Sequence, residues 1–167
     1  MKLKNITKLT EADLHYLAGF LDGDGSIMAQ IVKGNGYRYG YSIRVTICFY
    51  QKTKRHWFLL KLKKLLGKEW KIRKRNDGMS ELYITGFKPV KNLLIALQPY
   101  FRLKPRLAKL VLEIIDEYSQ IQNEADFLEV CKKIDKTAEY TDSKKRKNTY
   151  PSVKAYLNSP VETEKTY

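Results

Sequence analysis

Asp22 and Asp24 stand two residues apart among glycines, in LDGDGS, at the end of an apolar run that begins at Leu14. Carboxylates in such a turn can cap and satisfy backbone groups. They can also offer oxygen ligands to a hard cation. A helix that only packs needs a single cap, and a loop that only turns needs no apolar run before it. Both readings of the pair stay open on residue type alone. The other reactive side chains offer less. Cys48 and Cys131 are the only cysteines, and their spacing fits neither a metal site nor a disulfide framework. His15 and His56 read as structural or surface residues.

The elements that must position the aspartates follow from capping and periodicity. Thr10 followed by Asp13 is a capping pair and opens a helix at about residue 11. Leu14, Leu17, Ala18 and Leu21 form one stripe of it, while Tyr16, Gly19, Phe20 and Gly23 cover much of the rest. A helix apolar nearly all round is buried on two sides. From Ser26 the period becomes two. Residues 26–33 pair with YSIRVTICFYQ through the flexible tip KGNGYRYG. A helix over KRHWFLLKLKKLLG ends at Gly67, and a second hairpin turns at Asn76-Asp77-Gly78. Helices are then expected from Pro89 to before Pro99, from Pro105, over 124–139 and from Pro151. The order predicts an α+β fold: a four-stranded antiparallel sheet backed by helices. No linker divides the chain, so residues 1–167 read as one domain with its core at about 8–155.

One face of each hairpin cannot be core. It carries Met28, Gln30, Ser42, Arg44, Thr46 and Cys48 on the first, and Arg73, Arg75, Glu81 and Tyr83 on the second. Arg reads guanine edges, Gln adenine, Glu accepts from cytosine, and a β-ribbon fits the major groove. The chain has 32 Lys and Arg against 18 Asp and Glu, a formal charge of +14. Nucleic acid is the commonest partner of so basic a domain, with an anionic membrane surface second. No apolar run is long enough to span a bilayer. The segment MKLKNITKLTEADLH lacks the apolar core of a signal peptide.

LAGFLDGDG, residues 17–25, resembles the signature of the LAGLIDADG homing endonucleases, differing at Phe20, Leu21 and Gly23. QKTKRHWFLLKL, LQPYFRLKPRLAKLVLEII, FLEVCKKID and TDSKKRKNT also resemble the small single-motif members. The resemblance covers roughly residues 8–155 and implies an αββαββα core with further C-terminal helices. One motif per chain implies a homodimer. Its motif helices would pack together through Leu17, Gly19, Phe20, Asp22 and Gly23, with Asp22 closing the helix end. A two-fold dimer reads a pseudo-palindromic site. A ribbon of about ten residues spans roughly 33 Å, or about ten base pairs per half-site.

The resemblance further implies that Asp24 and the carbonyl of Gly23 bind a divalent cation, Mg²⁺, with Mn²⁺ as a substitute. Gln51 would orient water, and Arg55 and Lys104 would act near the scissile phosphate. Ser143, Lys144 and Lys147 would touch the DNA backbone. The implied activity is site-specific double-strand cleavage of DNA that promotes intron mobility, with no membrane or small-molecule substrate. Rivals on the same scaffold are an RNA-binding splicing helper and a non-catalytic DNA-binding regulator. Retained Asp24, Gln51 and Lys104 favour cleavage. The Lys, Asn, Ile and Tyr content suggests an A·T-rich genome such as that of a chloroplast or mitochondrion.

Overall fold

The structure is a computed structural model that describes residues 6–142 and 145–159. Helix α1 (Glu11–Asp24) starts at the Thr10 capping box, in which Thr10 Oγ1 accepts from Asp13 N–H and the Asp13 carboxylate from Thr10 N–H. It runs directly into β1 (Gly25–Lys33), which pairs with β2 (Tyr41–Lys52). A short 3-10 turn leads to α2 (His56–Leu66), ended at Gly67 with φ +122°. The second hairpin is β3 (Lys71–Lys74) and β4 (Met79–Thr85), turning at Gly78 with φ +80°.

The four strands form one antiparallel sheet in the order β1-β2-β4-β3. The expected α+β architecture is therefore present. The central pairing joins the two hairpins, with Ile47 opposite Ile84 and Phe49 opposite Leu82. Ile27, Ala29 and Ile31 of β1 and Tyr41, Ile43, Val45, Ile47 and Phe49 of β2 face the helices and are buried. They pack on Leu17 and Leu21 of α1 and on the apolar stripes of the later helices.

Helix α3 (Phe87–Leu97) begins two residues before Pro89 rather than at it. Gly86, with φ +125°, makes the break from β4, and Pro89 falls in the first turn, where its missing N–H costs nothing. Helix α4 (Pro105–Tyr118) begins at its proline as expected. Helix α5 (Glu124–Lys136) is capped by Asn123 and tightens into a 3-10 turn over Thr137–Tyr140. Helix α6 (Tyr150–Leu157) starts at a Thr149 capping box, one residue before Pro151.

The second sheet face is less exposed than strict alternation predicts. Thr46 and Cys48 are 8% and 2% exposed. They sit on β2, where it is flanked by β1 on one side and β4 on the other, so neighbouring side chains cover them. Thr46 hydrogen-bonds Thr85 across the β2–β4 pair at 3.0 Å.

Candidate nucleic-acid interface and metal centre

The carboxylates of the opening turn have different fates. Asp22 is 9% exposed and looks back into its own chain. Its oxygens accept the backbone N–H groups of Arg102, Leu103 and Lys104 at 2.7, 3.2 and 3.0 Å. Those donors belong to the loop that enters α4, so Asp22 fixes that loop against the end of α1. Its contacts lie within the chain: it holds the loop rather than facing outward to the helix–helix seam expected for it.

Asp24 is the last residue of α1 and is exposed. Lys104 sits beneath it. Its ammonium donates to the carbonyls of Leu21, Asp22 and Gly25 at 2.6, 2.9 and 2.8 Å. A helix C-terminus leaves carbonyls without intrahelical partners, and a cation there also opposes the negative end of the helix dipole. Lys104 therefore caps α1. Burial pushes its pKa down, while the Asp22, Asp24 and Asp142 carboxylates pull it partly back. The expectation that Lys104 points at a phosphate is modified: in the free chain its three protons are engaged. Gly23 is not among its acceptors, so the carbonyl next to Asp24 is left for another ligand.

Gln51 and Arg55 come together at the same end of the sheet. Gly25 lies opposite Phe49, which brings the last residues of β2 to the end of α1. Gln51 Oε1 accepts from Arg55 Nε at 2.5 Å, and Arg55 is exposed. Among the described residues no group of three or more His, Cys, Asp and Glu converges as a metal cage. The donor set of one chain is one carboxylate and one carbonyl. Oxygen donors fit a hard divalent cation, which must complete its shell from water, phosphate or a second chain.

On α1 Tyr16, Gly19 and Gly23 are exposed, whereas Phe20, expected to face outward with them, is half-buried, stacked on Phe49 at 5.0 Å and edge-on to Phe58 at 5.9 Å. Leu17 is corrected: it is 0% exposed and belongs to the chain's own core, because the helix turns it toward the sheet. A Cβ added at Gly19 or Gly23 meets nothing within 4 Å. Nothing inside the chain therefore requires glycine there, although glycine within a helix costs about 0.5–1 kcal/mol relative to alanine. Bare glycines on an exposed helix face are a surface that a second helix could approach closely. Trp57 and Leu103, which are 56% and 74% exposed, add apolar surface to that of Tyr16, which is 55% exposed. Trp57 and Leu103 escaped sequence reading because a lone apolar residue on a helix or loop carries no periodic signal.

The sheet face is organised in cross-strand rows. Gln30 lies opposite Arg44 and Met28 opposite Thr46; Ser26, Cys48, Tyr83 and Lys71 form a third row. Gln30 and Arg44 are exposed. Ser42 shares a hydrogen bond with the Tyr118 hydroxyl at 3.2 Å. Glu81 departs from its expected role as a free acceptor. It is 6% exposed, and its two oxygens accept from Arg73 Nε at 2.6 Å and Arg75 Nη1 at 3.0 Å. Arg75 also pairs with Asp77 at 2.6 Å. Arg73 further lies over the Tyr83 ring, 5.5 Å from its centroid. Glu81 thus acts as an anchor that aims two exposed guanidiniums. Burial pushes the Cys48 thiol up to about 12, so it stays neutral. Tyr50, which sequence reading left out, also faces this side; burial raises its phenol to about 12 against the hydrogen bond from Ser26.

A groove of about 1020 Å³ runs beside β1 from the Asp22-Gly23 turn toward the hairpin. Met28, Gln30 and Arg44 line one wall; Tyr140, Lys145 and Lys147 line the other. The basic wall is pinned in place. Arg146 caps the end of α5 by donating to Ile134 O at 2.7 Å and Thr137 Oγ1 at 2.8 Å. Asn148 donates to Ile31 O, on the outer edge of β1, at 3.0 Å. Lys147 is exposed on this wall, while Ser143 and Lys144 lie outside the described residues.

A basic groove over an antiparallel sheet, with an acidic helix end at its head and exposed glycines along the adjoining helix, is the arrangement of a nucleic-acid-binding enzyme. Comparison with known proteins says which one. The LAGLIDADG endonuclease family matches residues 17–118. The DNA endonuclease I-CreI of Chlamydomonas reinhardtii is 42% identical over 161 residues, covering 96% of this chain and 98% of that protein. I-CvuI of Chlorella vulgaris is 43% identical over 131 residues, covering 78% and 81%. A crystal structure of I-CvuI in complex with its target in the presence of 2 mM Ca superposes with a TM-score of 0.81 at 39% identity, over 87% of this chain and 92% of that one. The archaeal I-Vdi141I, at 16% identity and a TM-score of 0.75, shares the fold. The chain belongs to the LAGLIDADG endonuclease family.

Proposed function

We propose that two copies of this chain cleave both strands of a long pseudo-palindromic DNA site with Mg²⁺, and so promote the spread of the intron that encodes them. The observation that carries the reading is the end of α1. Asp24 projects from it with the Gly23 carbonyl beside it, and Lys104 caps the neighbouring carbonyls without using Gly23. When bound, the cation would lower the pKa of a coordinated water and stabilise the leaving oxygen. This chain's own residues do the rest. Asp24 and Gly23 hold the ion. Gln51, oriented by Arg55, positions water. Lys104 keeps the helix end rigid and adds positive charge beside the approaching phosphate. Mn²⁺, an oxygen-seeking ion, would substitute.

Arg73 and Arg75, aimed by Glu81, contact base edges together with Gln30 and Arg44. Lys147, with Ser143 and Lys144, holds the backbone. The whole chain acts as one domain in this scheme. An organellar genome is the source best supported by the Lys- and Asn-rich composition and by the Chlamydomonas and Chlorella relatives.

The test is selection of cleaved members from a library of partial palindromes of about 20 base pairs, with Asp24→Asn alongside. Cuts that vanish in Asp24→Asn while binding survives support the reading. Tight binding without cutting, with or without Mg²⁺, overturns it and makes intron RNA the next ligand to try.

A further inference from the structure

The tip of the β1–β2 hairpin is held by the C-terminal helix, and the hold centres on Tyr156. Gly40 adopts φ +69°. A Cβ at Gly40 would lie 2.2 Å from Cε1 and 2.5 Å from Cζ of Tyr156, so the phenol ring of α6 rests directly on bare hairpin backbone. The same ring meets buried Tyr41 edge to face, with centroids 5.4 Å apart at 88°. Lys33 Nζ lies 5.7 Å from the Tyr156 ring centre and 6.0 Å from that of Tyr41. On its other flank the tip is tied by Arg38, which donates to Gln122 O at 3.4 Å, and by Tyr39 stacked on Phe127 at 4.8 Å.

A projecting two-stranded ribbon is not rigid by itself. Here the chain supplies it with a brace. The nine residues of β1 carry the tip about 30 Å from Asp24 at ~3.4 Å per residue. That reach corresponds to about nine base pairs at ~3.4 Å each, the outer end of a half-site.

We propose that Tyr156 is a positioning residue for target recognition: seated on Gly40, it sets the pose of the hairpin tip and so governs discrimination at the outer base pairs of each half-site. This rests on the reading of the sheet as the DNA-contacting face. Tyr156 touches no element of the metal centre, so it governs specificity and leaves the chemistry alone.

The test compares wild type, Tyr156→Phe, Tyr156→Leu and Tyr156→Ala. The probes are the duplex recovered by the wild type from the library and its single-base-pair variants at inner and outer positions. A mismatch at a contacted position ordinarily costs roughly 5- to 150-fold in affinity. In Tyr156→Ala the outer-position ratios fall at least about fivefold, toward unity, while inner ratios and kcat on the preferred duplex stay within about twofold. Tyr156→Phe keeps the ring and behaves as wild type. Tyr156→Leu keeps apolar volume, and hence folding, but lacks the flat ring and follows Tyr156→Ala. Equal loss at inner and outer positions, an unchanged profile, or a Tyr156→Phe that behaves like Tyr156→Ala overturns the proposal. Failure of the wild type to select any duplex overturns the underlying DNA reading instead.

Discussion

Replacing Lys104 with methionine separates two roles for this residue. Methionine keeps much of the aliphatic stem and removes the ammonium. The change strips partners from the carbonyls of Leu21, Asp22 and Gly25, which now receive 2.6–2.9 Å hydrogen bonds. A hydrogen bond to a charged group contributes about 1.5–3 kcal/mol, and such bonds from one donor atom do not add in full. Burial already disfavours the ammonium, as its lowered pKa indicates, and removing the charge recovers that cost. The net loss is then about 2–4 kcal/mol. At about 2–4 °C per kcal/mol for a chain of this size, the melting temperature falls by about 4–16 °C. Thermal unfolding without DNA or metal, at fixed protein concentration, measures it. A residue that only meets phosphate predicts no shift in that assay. A Lys104→Met protein that melts within 1 °C or so of wild type, yet has lost cleavage, refutes the capping argument.

Three further outcomes follow from other parts of the molecule. Gly19→Ala relieves a helical glycine worth about 0.5–1 kcal/mol yet places a methyl on the outward face of α1, so sedimentation should show a weaker dimer even as the isolated helix is favoured. Glu81→Ala releases Arg73 and Arg75 from their shared anchor, and binding should lose discrimination at the base pairs they meet while nonspecific, salt-sensitive affinity rises. The two cysteines should be inert in the folded protein. With both thiols pushed up to about 12, alkylation at pH 8.5 runs roughly three orders of magnitude slower than in the unfolded chain. The native state then holds these protons more tightly than the unfolded state, whose thiols titrate near 9. Stability is therefore fully present below about 9 and is lost as pH rises toward about 12.

What the sequence made legible, and what it did not, divides along the range of the forces involved. Capping at Thr10 and the glycine break at Gly67 are local, and the alternation of Ile43, Val45, Ile47 and Phe49 needs only two neighbours on each side. All were readable, and with them the order of elements. The sheet face was read by alternation alone, and that fails where strand order matters. Cys48 and Thr46 are covered because β4 lies beside β2, a pairing no single strand announces. Glu81 looked like a free base reader because its two arginines come from the facing strand, one directly opposite and the other beyond the strand's end.

The α1 terminus shows the same limit at the candidate site. Motif resemblance placed Asp22, Asp24 and Lys104 at one site but could not assign their partners. Asp22 turned out to hold the 102–104 loop, and Lys104, carried by that loop, returns to hold the end of α1. The two contacts are reciprocal: a carboxylate on the helix takes backbone donors of the loop, and a cation on the loop takes backbone acceptors of the helix. Each fixes the other, so the exposed Asp24 projects from a terminus with little freedom. Such rigidity is what the proposed role of Asp24 as a metal ligand would need, since it sets the geometry of the carboxylate in advance of any ion.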